Sequence, residues 1–145
     1  MTTIGLLTEA DRPRWTELWR AYLEFYNTEL PPEQYAHTWA RLFDGRMFAL
    51  AARDQQGRMI GLVHYLMHEH GWTMQLACYL QDLYVDASLR GTGAGRALIE
   101  AVASDVRARG ALRLYWLTNA QNTTARQLYD RLASHGGFIK YDYPL

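Results

Sequence analysis

Three glycines at alternate positions, in Arg90-Gly91-Thr92-Gly93-Ala94-Gly95-Arg96, stand between a strand-forming run, Ala77 to Val85, and a helical stripe of Leu98, Ile99, Val102 and Val106. A plain tight turn needs one glycine. Three alternating ones let the backbone take conformations closed to other residues and let a ligand approach main-chain amides closely. A strand that feeds such a turn into a helix start makes an anion site, because unpaired amides and the positive helix end converge there.

Punctuation divides the rest of the chain into short elements. Thr3 to Leu7 is an apolar run, and Thr8-Glu9-Ala10-Asp11 with Pro13 supplies the cap, acids and proline of a helix start. Trp15, Leu18, Trp19, Tyr22, Phe25 and Tyr26 then recur at helical spacing to about Asn27. Leu30-Pro31-Pro32-Glu33 breaks the chain and opens a second helix, with Tyr35, Trp39, Leu42 and Phe43 on one side and Asp44-Gly45 as its stop. Met47 to Ala52 and Met59 to Met67 read as a hairpin around Asp54-Gln55-Gln56-Gly57. Beyond the glycine-rich helix, Gly110 marks its end, Leu112 to Thr118 reads as a strand, and Thr123 to Ser134 as a helix closed by Gly136-Gly137. Phe138 to Tyr143 reads as a last strand. The order β-α-α-β-β-β-α-β-α-β predicts an α/β fold: one domain over residues 1–145, a mixed sheet with helices on both faces.

Composition removes whole classes of function. Fifteen basic residues balance fifteen acidic ones, so no global field recruits nucleic acid or an anionic membrane. No apolar run reaches the ~20 residues of a membrane span, and the start Met-Thr-Thr-Ile lacks the regions of a signal peptide. The expectation is a soluble cytoplasmic protein with no nucleic-acid or membrane partner. Cys78 is the only cysteine, which excludes an internal disulfide and a thiolate-rich metal site. Lys140 is the only lysine, so the Gly-Lys-Ser/Thr of a P-loop is missing. The dinucleotide fingerprint fails as well: Arg96 stands at the third glycine, and Leu117-Thr118-Asn119 offers no acid for a ribose. What remains is a pyrophosphate seated on the helix without a metal, with Arg90 and Arg96 bracketing the amides.

Leu83-Tyr84-Val85, followed after four residues by Arg90-Gly91-Thr92-Gly93-Ala94-Gly95, resembles the acetyl-CoA motif of GNAT superfamily N-acetyltransferases, usually Arg/Gln-x-x-Gly-x-Gly/Ala after a strand. Asn122, then Tyr129 within Leu128-Tyr129-Asp130-Arg131, then Gly137-Phe138, is similar to the family's second signature. The element order resembles the family over nearly the whole chain, closest to its small polyamine- and histone-type members. The resemblance implies a GNAT-like splayed sheet and acetyl-CoA as cosubstrate, with no metal. It implies that the amides of Gly91, Thr92, Gly93, Ala94, Gly95 and Arg96, with Arg90, hold the pyrophosphate. It further implies that the backbone of Leu83, Tyr84 and Val85 binds pantetheine and that Asn122 faces the cofactor.

Transfer to an amine needs a neutral amine, stabilisation of an oxyanion and a proton for the departing thiolate. A backbone amide near Tyr84 or Val85 suits the oxyanion, and Tyr129 resembles the family tyrosine that donates to the sulfur. Polyamine-type members carry Glu where this chain has Gln81, and an amide cannot accept the proton. Asp82 is the neighbouring candidate base, although strand alternation turns it to the opposite face. Glu24, Glu29 and Glu69 are alternatives acting through water. Glu24, Tyr26, Glu29 and Gln81 form the expected acceptor side, where acids among aromatics favour a cationic amine. His64, His68 and His70 share strand parity, but spacing of ~7 Å along a strand argues against a metal. These features predict an N-acetyltransferase acting on a primary amine of a small molecule or peptide by direct attack. A catalytically silent CoA-binding sensor is the alternative. The aromatic edge Phe138 to Tyr143 predicts a homodimer joined through its C-terminal segments.

Overall fold

The computed structural model describes residues 1–145. At its centre is a five-stranded sheet in the spatial order β1 (Thr3–Leu6), β2 (Phe48–Arg53), β3 (Met59–His68), β4 (Ala77–Val85) and β5 (Arg113–Tyr115). The first four strands are antiparallel neighbours, and β4 and β5 run parallel. Helices α1 (Arg12–Phe25) and α2 (Pro32–Arg41) cover one face, while α3 (Ala94–Ala108) and α4 (Thr123–Leu132) cover the other. No helix is long and apolar enough to cross a membrane.

Each face has its own core. Trp15, Leu18, Trp19 and Leu23 of α1 and Trp39 of α2 press on Ala49, Ala51, Met59 and Leu62. On the reverse, Leu98, Ile99, Val102 and Val106 of α3 meet Leu50, Ala52, Val63, Tyr65, Cys78 and Leu80. Strand period two accounts for the division, sending Ala49 and Ala51 one way and Leu50 and Ala52 the other. The short side chains of β2 leave room for the indoles, and each large apolar side chain so buried contributes roughly 1.5–3 kcal/mol. Thr8 starts the first helical segment as its sequence predicts, its amide donating to Asp11 Oδ2 at 2.7 Å.

The register of β3 against β4 breaks at one point. His64 pairs with Asp82 but Tyr65 pairs with Leu80, leaving Gln81 unpaired in a bulge. The extra residue reverses the parity of β4. Cys78 and Leu80 face α3 before the bulge, whereas after it Leu83 and Val85 take that face, and Asp82 and Tyr84 turn toward α1.

Several expected boundaries shift. The strand expected over Leu112 to Thr118 is only Arg113–Tyr115, and the helix expected to Ser134 ends at Leu132. The last strand, Phe138 to Tyr143, is absent: residues 135–145 lie outside the sheet, with Phe138 97% and Tyr143 85% exposed. Alternating aromatics give a segment the propensity for a strand, but a strand exists only with a ladder partner, and β5 has none on its outer side here.

Candidate active site

The glycine-rich loop ends in a helix start whose backbone amides are left unpartnered. Arg90 is extended, and Gly91 and Gly93 adopt φ +85° and +86°, which side-chain-bearing residues rarely take. Gly93 is the N-cap of α3, and the first helical bond runs from the Ala97 amide to the Gly93 carbonyl. The amides of residues 91 to 96 therefore have no intramolecular partner. A Cβ on Gly91 or Gly93 would enter open space, so the backbone angle demands glycine and the space is left for a ligand. Gly95 differs: a Cβ there would meet Leu128 and Val85 at 3.7 and 3.9 Å, an ordinary contact. The loop is braced from below, where Asp86 accepts from the Ser88 amide and from Arg14 at 2.7 Å.

The two arginines expected to bracket these amides are engaged elsewhere. Arg90 donates through Nε to the Val85 carbonyl, and its guanidinium lies over the rings of Tyr84 (5.3 Å) and Phe25 (5.8 Å). Arg96 pairs with Glu100 at 2.8 Å on the exposed side of α3.

Beside the loop the sheet opens. Strand β5 pairs with β4 only over Ala77 to Tyr79, so from Leu80 to Val85 the edge of β4 has no strand next to it. Leu83, Tyr84 and Val85 thus lie on an edge that no strand covers and that leads into the unpartnered amides, with the Val85 carbonyl held by Arg90. A long ligand with an extended, amide-bearing arm and a phosphate-bearing end fits these two features together.

Two ionisable side chains singled out by the sequence lie on opposite faces of the sheet. On the α1 side, Asp82 is buried; its Oδ1 accepts from the Tyr22 hydroxyl at 2.8 Å, and its Oδ2 lies 3.1 Å from His64 Nδ1. Burial and the adjacent carboxylate push the Tyr22 phenol up. On the α3 side, Tyr129 of α4 packs edge-on against Trp116 at 5.4 Å and is half-buried, its hydroxyl making no hydrogen bond. Burial raises its phenol above the ordinary value, with the nearby Tyr26 adding to the effect. Tyr26 in turn packs edge-on against Tyr22 at 5.1 Å.

Asn122 is the N-cap of α4, accepting from the Ala125 amide and donating to Thr118 Oγ1 at 3.5 Å. The carboxylates of Glu24 and Glu29 are exposed and hydrogen-bond to nothing, and Gln81 is exposed at the bulge. The histidines stand apart: His64 is interior, His68 is bonded to the Tyr115 hydroxyl, and His70 lies beside Trp72. Cys78 is buried, which pushes its thiol up to about 11. Sequence reasoning left Tyr22 and His64 out of the site. The available signal was a histidine in the apolar interior of a strand and a tyrosine one turn before Tyr26. The bulge that turns Asp82 toward them has no such mark.

An amide cradle that continues a strand edge left open by its parallel neighbour places this chain in the class of acyltransferases with a splayed mixed sheet. Over residues 13–133 the sequence matches the Acetyltransferase (GNAT) family, and the chain belongs to that family, whose members normally take acetyl-CoA as cosubstrate. It is 38% identical over 126 residues, 85% of this chain and 78% of the relative, to the D-amino-acid N-acetyltransferase HPA3 of Saccharomyces cerevisiae. Its fold is similar to that of a ribosomal-protein-alanine N-acetyltransferase from Brucella melitensis biovar Abortus 2308 (TM-score 0.85, 23% identity, 100% of both chains). An aminoglycoside acetyltransferase from an uncultured soil metagenomic sample shares it too (TM-score 0.84, 19% identity, 99% of this chain and 96% of that one).

Proposed function

We propose that this acyltransferase moves the acetyl group of acetyl-CoA to a primary amine of a small molecule or peptide, by direct attack with both substrates bound. The observation that carries this reading is the continuity between the edge of β4 at Leu83 to Val85, which no strand covers, and the unpartnered amides of residues 91 to 96. Acetyl-CoA, when bound, supplies the acetyl thioester. Within that frame the amides of 91 to 96 hold the pyrophosphate, the β4 edge holds the amide-bearing arm, and Asn122, at the start of α4, borders the cofactor. Asp82 takes the proton of the incoming amine, and Tyr129, its phenol kept protonated by burial, gives one to the leaving thiolate. Tyr26 and the exposed Glu24, Glu29 and Gln81 line the approach of a cationic acceptor. The named activity of the 38% identical relative puts amino acids at the head of the acceptors. The same reading takes the protein to be a cytoplasmic homodimer that needs no metal, nucleic acid or membrane.

The deciding experiment is thiol release from acetyl-CoA across D- and L-amino acids, polyamines, aminoglycosides and peptides, with the mass of each product. One class of amine should gain 42 Da, on the order of an acetyl group, and Tyr129→Phe should lower turnover by about 10² while acetyl-CoA affinity is kept. Absence of thiol release with every amine would refute the transferase reading of the site.

A further inference from the structure

Behind Asp82 lies a side-chain chain that the transfer step itself does not use. His64 has no exposed surface, and both its ring nitrogens are engaged. Nε2 lies 3.0 Å from Trp15 Nε1, and Nδ1 lies 3.1 Å from Asp82 Oδ2. An indole nitrogen can only donate, so Nε2 must accept; the ring proton therefore sits on Nδ1 and is donated to Asp82. A protonated imidazole would set Nε2–H against the indole N–H, donor facing donor. Trp15 has little room to move out of the way, since it too is fully buried, among the rings of Trp39 at 5.1 Å, Trp19 at 6.1 Å and Tyr35 at 6.4 Å. The second oxygen of Asp82 takes the Tyr22 hydroxyl. The carboxylate is thus oriented by two neutral donors, and neither hydrogen bond gives it a positive partner inside the protein.

We propose that Trp15 and His64 are positioning residues for the transfer: the indole N–H fixes His64 as its Nδ1–H tautomer, so that Asp82 is aligned by a neutral donor and keeps its negative charge for the acceptor amine. This rests on the reading of Asp82 as the residue that meets the amine. It makes a purely aromatic core residue, Trp15, part of acceptor recognition.

Nitrogen NMR of the full chain labelled at its five histidines tests the first step directly. At about pH 8, where imidazoles are neutral, the resonances lost in His64→Gln should show a protonated Nδ1 and a bare Nε2. The opposite tautomer overturns the proposal. Kinetics test the second step. A glutamine at 64 accepts from the indole and donates to Asp82 but cannot become charged, so His64→Gln should keep kcat/KM for the amine within about threefold and leave its pH profile unchanged. His64→Leu, which has no donor, should lower it about ten- to a hundredfold, with the KM for acetyl-CoA unmoved. Trp15→Phe should lower kcat/KM for the amine, and should cost less than about twofold in a His64→Gln background. Equal losses in both backgrounds, with Asp82→Asn impaired, would mean that Trp15 only packs and would overturn this proposal alone. Asp82→Asn at the wild-type rate would overturn the reading of Asp82 and this proposal with it.

Discussion

Trp15 and Trp19 sit one turn apart on α1 and enter the same core, yet only Trp15 has a partner for its indole hydrogen. The Nε1 atoms of Trp19 and Trp39 are buried without a hydrogen bond. Truncation to phenylalanine should therefore cost unequally: Trp15→Phe strips a donor from His64, while Trp19→Phe removes a group already unsatisfied. Urea unfolding should place Trp15→Phe about 1–3 kcal/mol below Trp19→Phe, and equal losses would count against the hydrogen bond to His64. The loop glycines divide in the same manner. Gly93→Ala forces a side chain into φ +86° and should cost roughly 1–2 kcal/mol along with weaker acetyl-CoA binding. Gly95→Ala lies in helical backbone with room for a methyl group and should be neutral or stabilising, by up to about 1 kcal/mol. Thermal melts and calorimetry on the pair separate the two roles; a Gly93→Ala variant as stable and as tightly binding as the parent would remove the backbone requirement.

Two ion pairs tie separate elements together and set how the fold answers to acid. Arg53, on β2, forks both oxygens of Asp11 at 2.7 Å, and Arg14, on α1, reaches Asp86 beneath the glycine loop at the same distance. The Arg53 hydrogen bonds hold the Asp11 carboxyl below its usual range; Ser88 and then Arg14 do the same for Asp86. A carboxyl whose folded value is depressed adds stability that is present above the unfolded value of about 3.9 and is lost as pH falls through the folded one. Melting temperature should therefore hold these contributions near neutrality and shed them below about pH 4. Arg53→Met should be less stable at neutral pH and should lose less on acidification; a parallel pH profile would show that the pair contributes nothing. The elements these pairs join were legible in the sequence wherever periodicity was strong. The stripes at Trp15 to Phe25 and Leu98 to Val106 became α1 and α3, the hairpin formed around Gly57, and the alternating glycines marked the loop that opens α3. The bulge at Gln81 was not legible, because one extra residue in a ladder shows only against its partner strand, and with it went the true direction of Asp82. Strand alternation counted from Gln81 still put the two on opposite faces. What it could not supply was which face holds Tyr22 and His64.

The molecule as a whole ends its sheet at a three-residue strand, and that leaves two unmatched surfaces. The outer edge of β5 has no strand beside it, and a groove of about 480 Å³ lined by His68, His70, Leu112, Arg113, Leu114 and Tyr115 lies across the neighbouring ends of β3 and β5. Separately, Phe138, Ile139, Tyr141 and Tyr143 stand exposed on a segment that has left the sheet, with Lys140 and Asp142 paired to each other at 3.2 Å between them. A short edge strand with free amides and carbonyls accepts an added strand, and an alternating aromatic segment provides one. Exchange of this segment between two copies would cover both surfaces at once, with the two-fold symmetry that makes each copy donor and acceptor. Gly137, at φ +79°, is the turn from which the segment departs, so truncation after it removes the exchanged part and leaves the five-stranded sheet and its two cores intact. Light scattering at micromolar concentration should give twice the chain mass for the full protein and the single-chain mass for the truncated one, with the truncated form still folded by circular dichroism. A full-length monomer would refute the exchange, and a truncated form that folds and dimerises equally well would place the interface on some other face.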